Sequence, residues 1–144
     1  NGFKNCMCSE KKLAKALARM TYAFSNATCA KVNMITGEAY GSAYVFMNSK
    51  SIGADLVYAW NDAKIGTMDS TMAAKIMYPD ADAAEIKEKA SEYEKLQSSA
   101  TSAAARGYVD RIIEPADSRK YLVAAFEMLY TKYVGEPEKK HGTK

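Results

Sequence analysis

The sequence predicts an α/β fold, because segments with helical periodicity alternate with short stretches typical of β-strands. The strand-like stretches are rich in β-branched and aromatic residues, and apolar residues at every third or fourth position mark the helices between them. The chain has 144 residues, 48% of them apolar and 26% charged, which is enough for one domain with a buried core. No repeat of fixed period is present, so a single α/β domain is expected.

The first half of the chain is predicted to contain two helices and three strands. In order, these are a helix at 10–27, a strand at 31–36, a helix that begins in the small residues Gly41-Ser42-Ala43, and strands at 55–60 and 63–68. Ser9 is the expected N-cap of the first helix, because its hydroxyl can accept a hydrogen bond from a free backbone amide. In the second helix we expect Ser42 at the N-cap and Ala43 at the first helical position.

The second half is predicted to contain three helices and one strand. In order, these are a short helix capped by Asp69 that ends at Met77, a longer helix from about Ala83, a strand at 108–114 and a last helix that opens at Pro115. Pro79 and Gly107 interrupt the helical patterns. The small residues at 98–106 allow close packing against a neighbouring element.

Ten large apolar residues form the expected core. They are Met20, Phe24, Val32, Ile35, Val57, Ile65, Ile112, Leu122, Phe126 and Leu129. Residues 1–9 carry no periodic signal and are interpreted as a leader or truncated linker, residues 10–134 as the folded domain and residues 135–144 as a solvated tail. The first residue is Asn1 rather than Met, which suggests a cut inside a longer protein.

Composition and charge exclude several functional classes. No apolar run approaches the roughly 20 residues that span a bilayer, and no signal-peptide core opens the chain, so membrane insertion is not expected. The 20 basic and 17 acidic residues are interleaved, and the net charge of +3 does not indicate a nucleic-acid partner. The three cysteines and the single histidine lack the spacing of a metal site. We therefore expect no metal and reduced thiols in a cytoplasmic protein, with a disulfide as the open alternative.

The sequence lacks the usual motifs for side-chain catalysis, such as Gly-x-Ser-x-Gly or His-Glu-x-x-His. The informative stretch is 35–44, where a strand runs through small residues into a helix. The first amides of a helix have no intrahelical partners, and at Gly41, Ser42 and Ala43 no bulky side chain shields them. Such amides can bind an anion or stabilise an oxyanion that develops during a reaction. The alternative interpretation is a tight strand-to-helix turn without a ligand.

Four blocks of the sequence resemble the carboxyltransferase β subunits of biotin-dependent acyl-CoA carboxylases. Residues 31–50 (KVNMITGEAYGSAYVFMNSK) are similar to the family string AYGGAYDVMSSK, and residues 53–68 (GADLVYAWNDAKIGTM) to a segment that usually contains YAWP. Residues 107–119 (GYVDRIIEPADSR) match GYVDDIIEPADTR, and residues 139–142 (KKHG) match the family's ending. The α subunits of sodium-pumping acyl-CoA decarboxylases share this resemblance.

The resemblance implies a crotonase-like (ClpP/crotonase) domain of ββα units with flanking helices, whose short strands form one layer. It also implies that this chain is the second of two tandem domains, the one that presents carboxybiotin, while the first domain of a partner subunit presents the acyl-CoA. The cofactor would be biotin on a carrier protein or domain. The backbone amides of Ser42 and Ala43, beside Gly41, would form the oxyanion hole on the biotin side, and Tyr44 and Val45 would line the substrate pocket.

Three departures from the family strings bear on this interpretation. The second glycine of the family's GGA is Ser42 here, and only its backbone amide is needed for the oxyanion hole. The aspartate after AYGGAY is Val45, at a position that the resemblance associates with the acyl pocket of acetyl- and propionyl-CoA carboxylases. The acyl-CoA can therefore differ from both acetyl-CoA and propionyl-CoA. Asn61 stands where the family has proline, and we expect it to alter only a turn.

The leading hypothesis is the carboxybiotin-side half of an acyl-CoA carboxyltransferase that moves a carboxyl group between biotin and an acyl-CoA such as acetyl- or propionyl-CoA. The expected partners are the N-terminal half, a partner subunit, a biotinyl carrier and the acyl-CoA, in a homo-oligomer. The surface left bare in this chain is expected at 98–106 and on the helix that begins at Tyr44. The alternatives are the α subunit of a sodium-pumping decarboxylase, a stand-alone crotonase-fold hydratase or thioesterase, and a non-catalytic domain that docks a biotinyl carrier.

Overall fold

The computed structural model describes residues 7–135. The helices are α1 (Met7–Asn26), α2 (Gly41–Phe46), α3 (Ser70–Met77), α4 (Ala83–Tyr93), α5 (Ala100–Ala105) and α6 (Ser118–Met128). The strands are β1 (Val32–Ile35), β2 (Glu38–Tyr40), β3 (Leu56–Trp60), β4 (Lys64–Gly66) and β5 (Arg111–Ile113). Short 3₁₀ turns occupy Lys50–Ile52 and Pro115–Asp117, and a π-helical segment, Glu94–Ser98, follows α4.

The five strands form two parallel sheets rather than the single layer expected from the sequence. One sheet has the order β1-β3-β5, and β2 pairs with β4 in the other. Successive strands of the chain therefore alternate between the two sheets, and a helix follows each pair. The strand predicted at 63–68 is thus present as β4, but its assignment to the layer of β1, β3 and β5 is wrong. Strand β2 was missed because its three residues lie in a stretch that lacks β-branched residues.

The helix ends agree with the sequence at some termini and differ at others. Asp69 caps α3 as predicted, and its carboxylate accepts hydrogen bonds from the amides of Thr71 and Met72 at 3.1 and 3.2 Å. Ser9 is not the N-cap of α1, because the helix already includes Met7. The remainder of the predicted leader, residues 1–6, lies outside the described part of the chain, and so do residues 136–144 of the predicted tail.

The core is built from smaller side chains than the sequence predicts. Ile35, Val57 and Ile65 are buried as expected, at 7%, 0% and 3% exposure. They pack with six other buried residues, five of which are alanines: Ala54, Ala59, Ala63, Ala100, Ala103 and Val109. Alanines on α5 let its backbone approach the sheets closely, so there is little room for larger residues. The expectation that the small residues at 98–106 form a bare surface is therefore wrong at Ala100 and Ala103.

Helices α1 and α6 and the two edge strands β1 and β5 are less buried than the sequence predicts. Met20, Phe24, Val32, Ile112, Leu122 and Leu129 are half-buried rather than buried. Phe126 is 49% exposed, so its assignment to the core is wrong, whereas the neighbouring Ala125 is 1% exposed. Helix α6 thus packs against the sheet through Ala125, and large apolar side chains such as Phe126 are exposed on its other face. Within residues 7–135, no helix combines the length and apolar character needed to cross a membrane.

Candidate active site

The candidate site is the turn that leads from β2 directly into α2. Tyr40 ends β2 with its side chain 4% exposed, and Gly41 begins α2 without an intervening loop. Gly41 has φ of +62°, a backbone conformation that side chains disfavour. A Cβ atom at this position would also lie 3.2 Å from the carbonyl oxygen of Thr67. Glycine is therefore required by both the backbone angle and the close approach of the segment after β4.

The start of α2 differs from the sequence expectation by two residues. Tyr40, not Ser42, occupies the N-cap, so Ser42 and Ala43 are the second and third helical residues. Their amides still belong to the first turn, where backbone N–H groups have no intrahelical acceptor. The side chain of Tyr40 makes no capping hydrogen bond to them. The N-cap assignment is therefore wrong, and the amides of Ser42 and Ala43 remain candidate donors in the first turn.

Two cavities flank this turn, and together they contain all five residues singled out from the sequence. A cavity of about 410 Å³, named the α2 cavity here, is lined by Gly41, Ser42, Tyr44 and Val45. A cavity of about 370 Å³ on the β1–β2 side is lined by Ala43 and also by Tyr44. Ser42 and Ala43 thus line different cavities, and Tyr44 contacts both.

Tyr44 is the side chain that separates the two cavities. Its side chain packs against the core cluster that contains Ile35, Val57 and Ile65, and its buried hydroxyl has no hydrogen-bond partner among the described residues. Burial, followed by the proximity of Tyr108, raises the pKa of the Tyr44 hydroxyl above its ordinary value. The hydroxyl therefore stays protonated at neutral pH and is available as a hydrogen-bond donor.

The α2 cavity also contains residues that the sequence analysis did not single out. Gln97 reaches it from the π-helical segment, and Arg106 and Tyr108 reach it from the turn between α5 and β5. Single-turn π-helical insertions are rare and often occur at functional sites. The π-helical segment Glu94–Ser98 is therefore the structural feature that indicates a role for Gln97. A π-helical turn has no distinct residue pattern, so it could not be predicted from the sequence.

The family-like block at 107–119 supports the scaffold rather than the cavities. The Asp110 carboxylate accepts a hydrogen bond from the Val57 amide at 2.8 Å and forms an ion pair with Lys50 at 2.7 Å. Ser118 accepts a hydrogen bond from the indole N–H of Trp60 at 2.9 Å. These contacts join β5 and α6 to β3. Only Tyr108 of this block lines the α2 cavity.

Asn61 lies in the turn after β3, as expected for a position where the family string has proline. Its side-chain amide donates to the Glu114 carboxylate at 3.1 Å. Among the described residues, no group of three or more His, Cys, Asp or Glu side chains could hold a metal ion. Cys29 is an exposed free thiol, whereas Cys6, His141 and the KKHG block lie outside the described residues.

Two parallel sheets with alternating strands, and a glycine turn that exposes amides between two cavities, define a crotonase-like carboxyltransferase fold. The Carboxyl transferase domain family matches residues 2–143, and the chain belongs to this family. It superposes on the transcarboxylase 12S crystal structure, described as a hexamer assembly with methylmalonyl-coenzyme A bound, with a TM-score of 0.91 and 39% identity. That match covers 98% of this chain and 28% of the 12S chain.

Curated relatives give the same assignment. The methylmalonyl-CoA decarboxylase subunit alpha of Propionigenium modestum is 47% identical over 131 residues, which are 87% of this chain and 25% of that protein. The methylmalonyl-CoA carboxyltransferase 12S subunit of Propionibacterium freudenreichii subsp. shermanii is 41% identical over 134 residues, again 87% of this chain and 25% of that protein. The chain therefore spans about a quarter of the length of the relatives that it matches.

Proposed function

We propose that this chain is the biotin-side part of an acyl-CoA carboxyltransferase, which moves a carboxyl group between biotin and an acyl-CoA. The observation that carries the proposal is the β2–α2 turn, where first-turn amides lie between two cavities in a chain of this family. Backbone donors of this kind can stabilise negative charge that develops on an oxygen during acyl or carboxyl transfer.

The residues around the turn fit a biotin headgroup. The cavity of about 410 Å³ lies within the usual size range of small-molecule sites, and it is lined by Gly41 and Ser42, while Ala43 lines the cavity on the other side of the turn. We assign the oxyanion hole to these two amides, which would hold the ureido oxygen. When bound through a carrier, biotin supplies a ureido nitrogen that accepts and releases the carboxyl group. Tyr44, as a protonated hydroxyl with no partner in the described residues, can donate a further hydrogen bond.

The test is carboxyl transfer from malonyl-CoA to free biotin. The full-length protein that contains this chain should catalyse it, while residues 1–144 alone should not, since the resemblance assigns the acyl-CoA to the other half. Turnover by residues 1–144 alone would contradict the assignment of this chain to one half of the site. Binding of a biotinylated carrier without any transfer by the full-length protein would instead support the non-catalytic docking domain.

Val45 is proposed to contribute to the choice of acyl-CoA. It lines the α2 cavity beside Ser42, at the position where the family string has aspartate. One methylene in an apolar pocket changes transition-state binding by about 1–3 kcal/mol. In the full-length protein, Val45→Asp should therefore change the ratio of kcat/KM values for acetyl-, propionyl- and butyryl-CoA. An unchanged ratio would remove Val45 from the substrate pocket.

A second candidate function is the same transfer in the decarboxylase direction. It is supported by the 47% identity to a methylmalonyl-CoA decarboxylase subunit alpha, which equals the identity to a putative propionyl-CoA carboxylase beta chain of Bacillus subtilis. The two directions share the residues discussed above and differ in the subunits that couple them to an energy source. The assembly purified under native conditions should be assayed for both activities. ATP-dependent carboxylation would indicate the carboxylase, and sodium-dependent decarboxylation would indicate the decarboxylase.

We also propose a homo-oligomer in the cytoplasm. Large apolar side chains are exposed on α6, notably Phe126 at 49% and Tyr130, just beyond the helix, at 88%. Exposed apolar patches of this kind often mark contacts between chains. Sedimentation of the full-length protein should show an assembly larger than a monomer, and a strict monomer would contradict the proposal.

A further inference from the structure

The α2 cavity carries a positive charge that is not compensated within the described part of the chain. Arg106 is the charged residue in its lining, and no aspartate or glutamate lines it. Each salt bridge found among residues 7–135 involves a lysine, and none involves Arg106. A guanidinium beside a cavity without an acid is suited to an anionic ligand.

The hydrogen bonds of Arg106 orient its guanidinium without neutralising it. Its Nη2 donates to the side-chain oxygen of Gln97, and its Nη1 lies 3.5 Å from the Gln97 carbonyl oxygen. A guanidinium has five N–H donors, so these contacts leave donors for a ligand. Gln97 is itself fixed by the π-helical segment Glu94–Ser98, which follows α4.

The backbone on either side of Arg106 fixes its position at the cavity. Arg106 is the C-cap of α5, and Gly107, with φ of +80°, then reverses the chain into Tyr108. Gln97, Arg106 and Tyr108 therefore meet Ser42 in one cavity although they belong to separate elements. This placement puts the cation in the same cavity as one amide of the assigned oxyanion hole.

We propose that Arg106 binds the carboxylate that is to be transferred, and that Gln97 positions the guanidinium for it. This inference rests on the proposed function. A guanidinium can form two parallel hydrogen bonds to a carboxylate, which fixes its orientation as well as its position. The carboxylate can be carried by biotin or by the acyl thioester, and both sources present the same chemistry to Arg106. Arg106 forms no covalent bond and moves no proton.

The first measurement is equilibrium binding of malonyl-CoA and acetyl-CoA to the full-length protein, with no biotin present. These ligands differ by the carboxylate. If the thioester brings the carboxylate to Arg106, Arg106→Gln should weaken malonyl-CoA binding about tenfold and leave acetyl-CoA binding unchanged, since hydrogen bonds to charged groups contribute strongly but Arg106 is exposed. Equal weakening of both ligands would indicate a structural role and overturn the inference.

The second measurement compares N-carboxybiotin with biotin in carboxyl transfer by the same protein. If biotin carries the carboxylate to Arg106, Arg106→Gln should raise the KM for N-carboxybiotin about tenfold, with little change in kcat or in the KM for biotin. If Arg106→Gln abolishes the preference for the carboxylated ligand in either measurement, the inference is supported, and the measurement affected identifies whether biotin or the thioester carries the carboxylate. Unchanged discrimination in both overturns it.

Two control variants separate charge from folding. Arg106→Lys keeps the charge but not the paired donors, so it should retain part of the discrimination. Arg19→Gln removes an exposed arginine on α1 that does not line the α2 cavity, and it should behave as wild type. If the wild-type protein binds malonyl-CoA through Arg106 but transfers no carboxyl group, the proposed function fails while the carboxylate site stands. If the wild-type protein transfers the carboxyl group and Arg106→Gln has no effect, the proposed function stands while the carboxylate site at Arg106 fails.

Discussion

Two blocks of this chain resemble strings of the same family, yet they have different roles in the structure. In the block at 31–50, the residues after β2 leave backbone amides free and line two cavities. In the block at 107–119, the polar side chains of Asp110 and Ser118 are satisfied within the chain, by β3 and its neighbours. One block has unused hydrogen-bonding capacity, and the other has used it to join strands and helices.

A family motif therefore does not by itself mark a catalytic site. A catalytic motif needs groups that are still free to meet a ligand, whereas a scaffold motif needs groups that already have partners. The two blocks should therefore respond differently to substitution. Removal of a free backbone amide at the β2–α2 turn should alter turnover more than stability, and changes at Asp110 should alter stability more than turnover.

The largest expected effect is on turnover, from Ser42→Pro in the full-length protein. Ser42 is the second residue of α2, where proline is tolerated because its missing N–H has no intrahelical acceptor. The variant removes one proposed donor of the oxyanion hole. Loss of such a donor typically lowers turnover by about 10²–10³. The measurement is kcat for carboxyl transfer, together with the midpoint of urea unfolding.

Ser42→Gly is the matched control, because it keeps the amide and introduces the residue found in the family string. It should retain most of the activity. Proline at Ala43 is a weaker test, because it would force Ser42 out of the helical conformation that α2 requires. A folded Ser42→Pro variant with normal turnover would show that the Ser42 amide is not a catalytic donor.

The second prediction is that Gly41→Ala lowers the free energy of unfolding by about 1–3 kcal/mol. A residue with a Cβ costs about 1–2 kcal/mol in left-handed geometry, and the contact with the Thr67 carbonyl oxygen at 3.2 Å adds to this. Gly37→Ala is the control, since a Cβ there meets nothing within 4 Å. Equal stability of the two variants in urea unfolding would contradict the requirement for glycine at the turn.

Much of the fold could be predicted from the sequence, because hydrophobic periodicity and capping residues report local structure directly. The helix at 10–27, the strand at 55–60 and the cap at Asp69 follow from such patterns and were confirmed. The alternation of strands between two sheets was missed, since it depends on pairing between β2 and β4, which are separated by α2 and β3.

The candidate site was located by the sequence only in part. The small residues of the β2–α2 turn predicted free backbone amides beside Gly41 and Ser42. Gln97 and Arg106 were missed, because they reach the α2 cavity through a π-helical segment and a reversal at Gly107. Both features depend on backbone geometry that a residue pattern does not encode.

The third prediction concerns the scaffold block. Asp110→Ala leaves the Val57 amide without its acceptor, and an unsatisfied buried donor costs about 1–3 kcal/mol. Asp110→Asn keeps an acceptor and loses mainly the half-exposed ion pair with Lys50, so it should cost less than about 1 kcal/mol. Urea unfolding gives both values. If turnover per folded molecule falls sharply in either variant, the division between site and scaffold is wrong.

The smallest effect is expected at Asp55, which joins the segment after α6 to the start of β1. Its carboxylate accepts hydrogen bonds from the Lys31 amide at 2.7 Å and from Lys132 Nζ at 2.8 Å. Burial alone would raise the pKa of Asp55, but these hydrogen bonds outweigh it and hold the pKa below its ordinary value. A carboxylate with a lowered pKa stabilises the fold above its ordinary pKa of about 3.9, and this stabilisation is lost as the pH falls through the folded value.

Lys132→Met tests this contact without touching either cavity. At pH 7 it should lower the free energy of unfolding by roughly 1 kcal/mol, between the values typical of exposed and buried pairs, because both partners are mostly buried. As the pH falls below the ordinary aspartate pKa of about 3.9 and through the lowered pKa of folded Asp55, the difference from wild type should shrink, since Asp55 becomes protonated in both proteins and the ion pair no longer contributes. Urea midpoints measured from pH 7 down to acid conditions give the comparison. A difference that stays constant over the whole range would mean that Lys132 stabilises the fold through its packing or its hydrogen bond to the Cys29 carbonyl oxygen at 3.1 Å rather than through the ion pair with Asp55. In either case kcat should be unaffected, because Lys132 belongs to the scaffold.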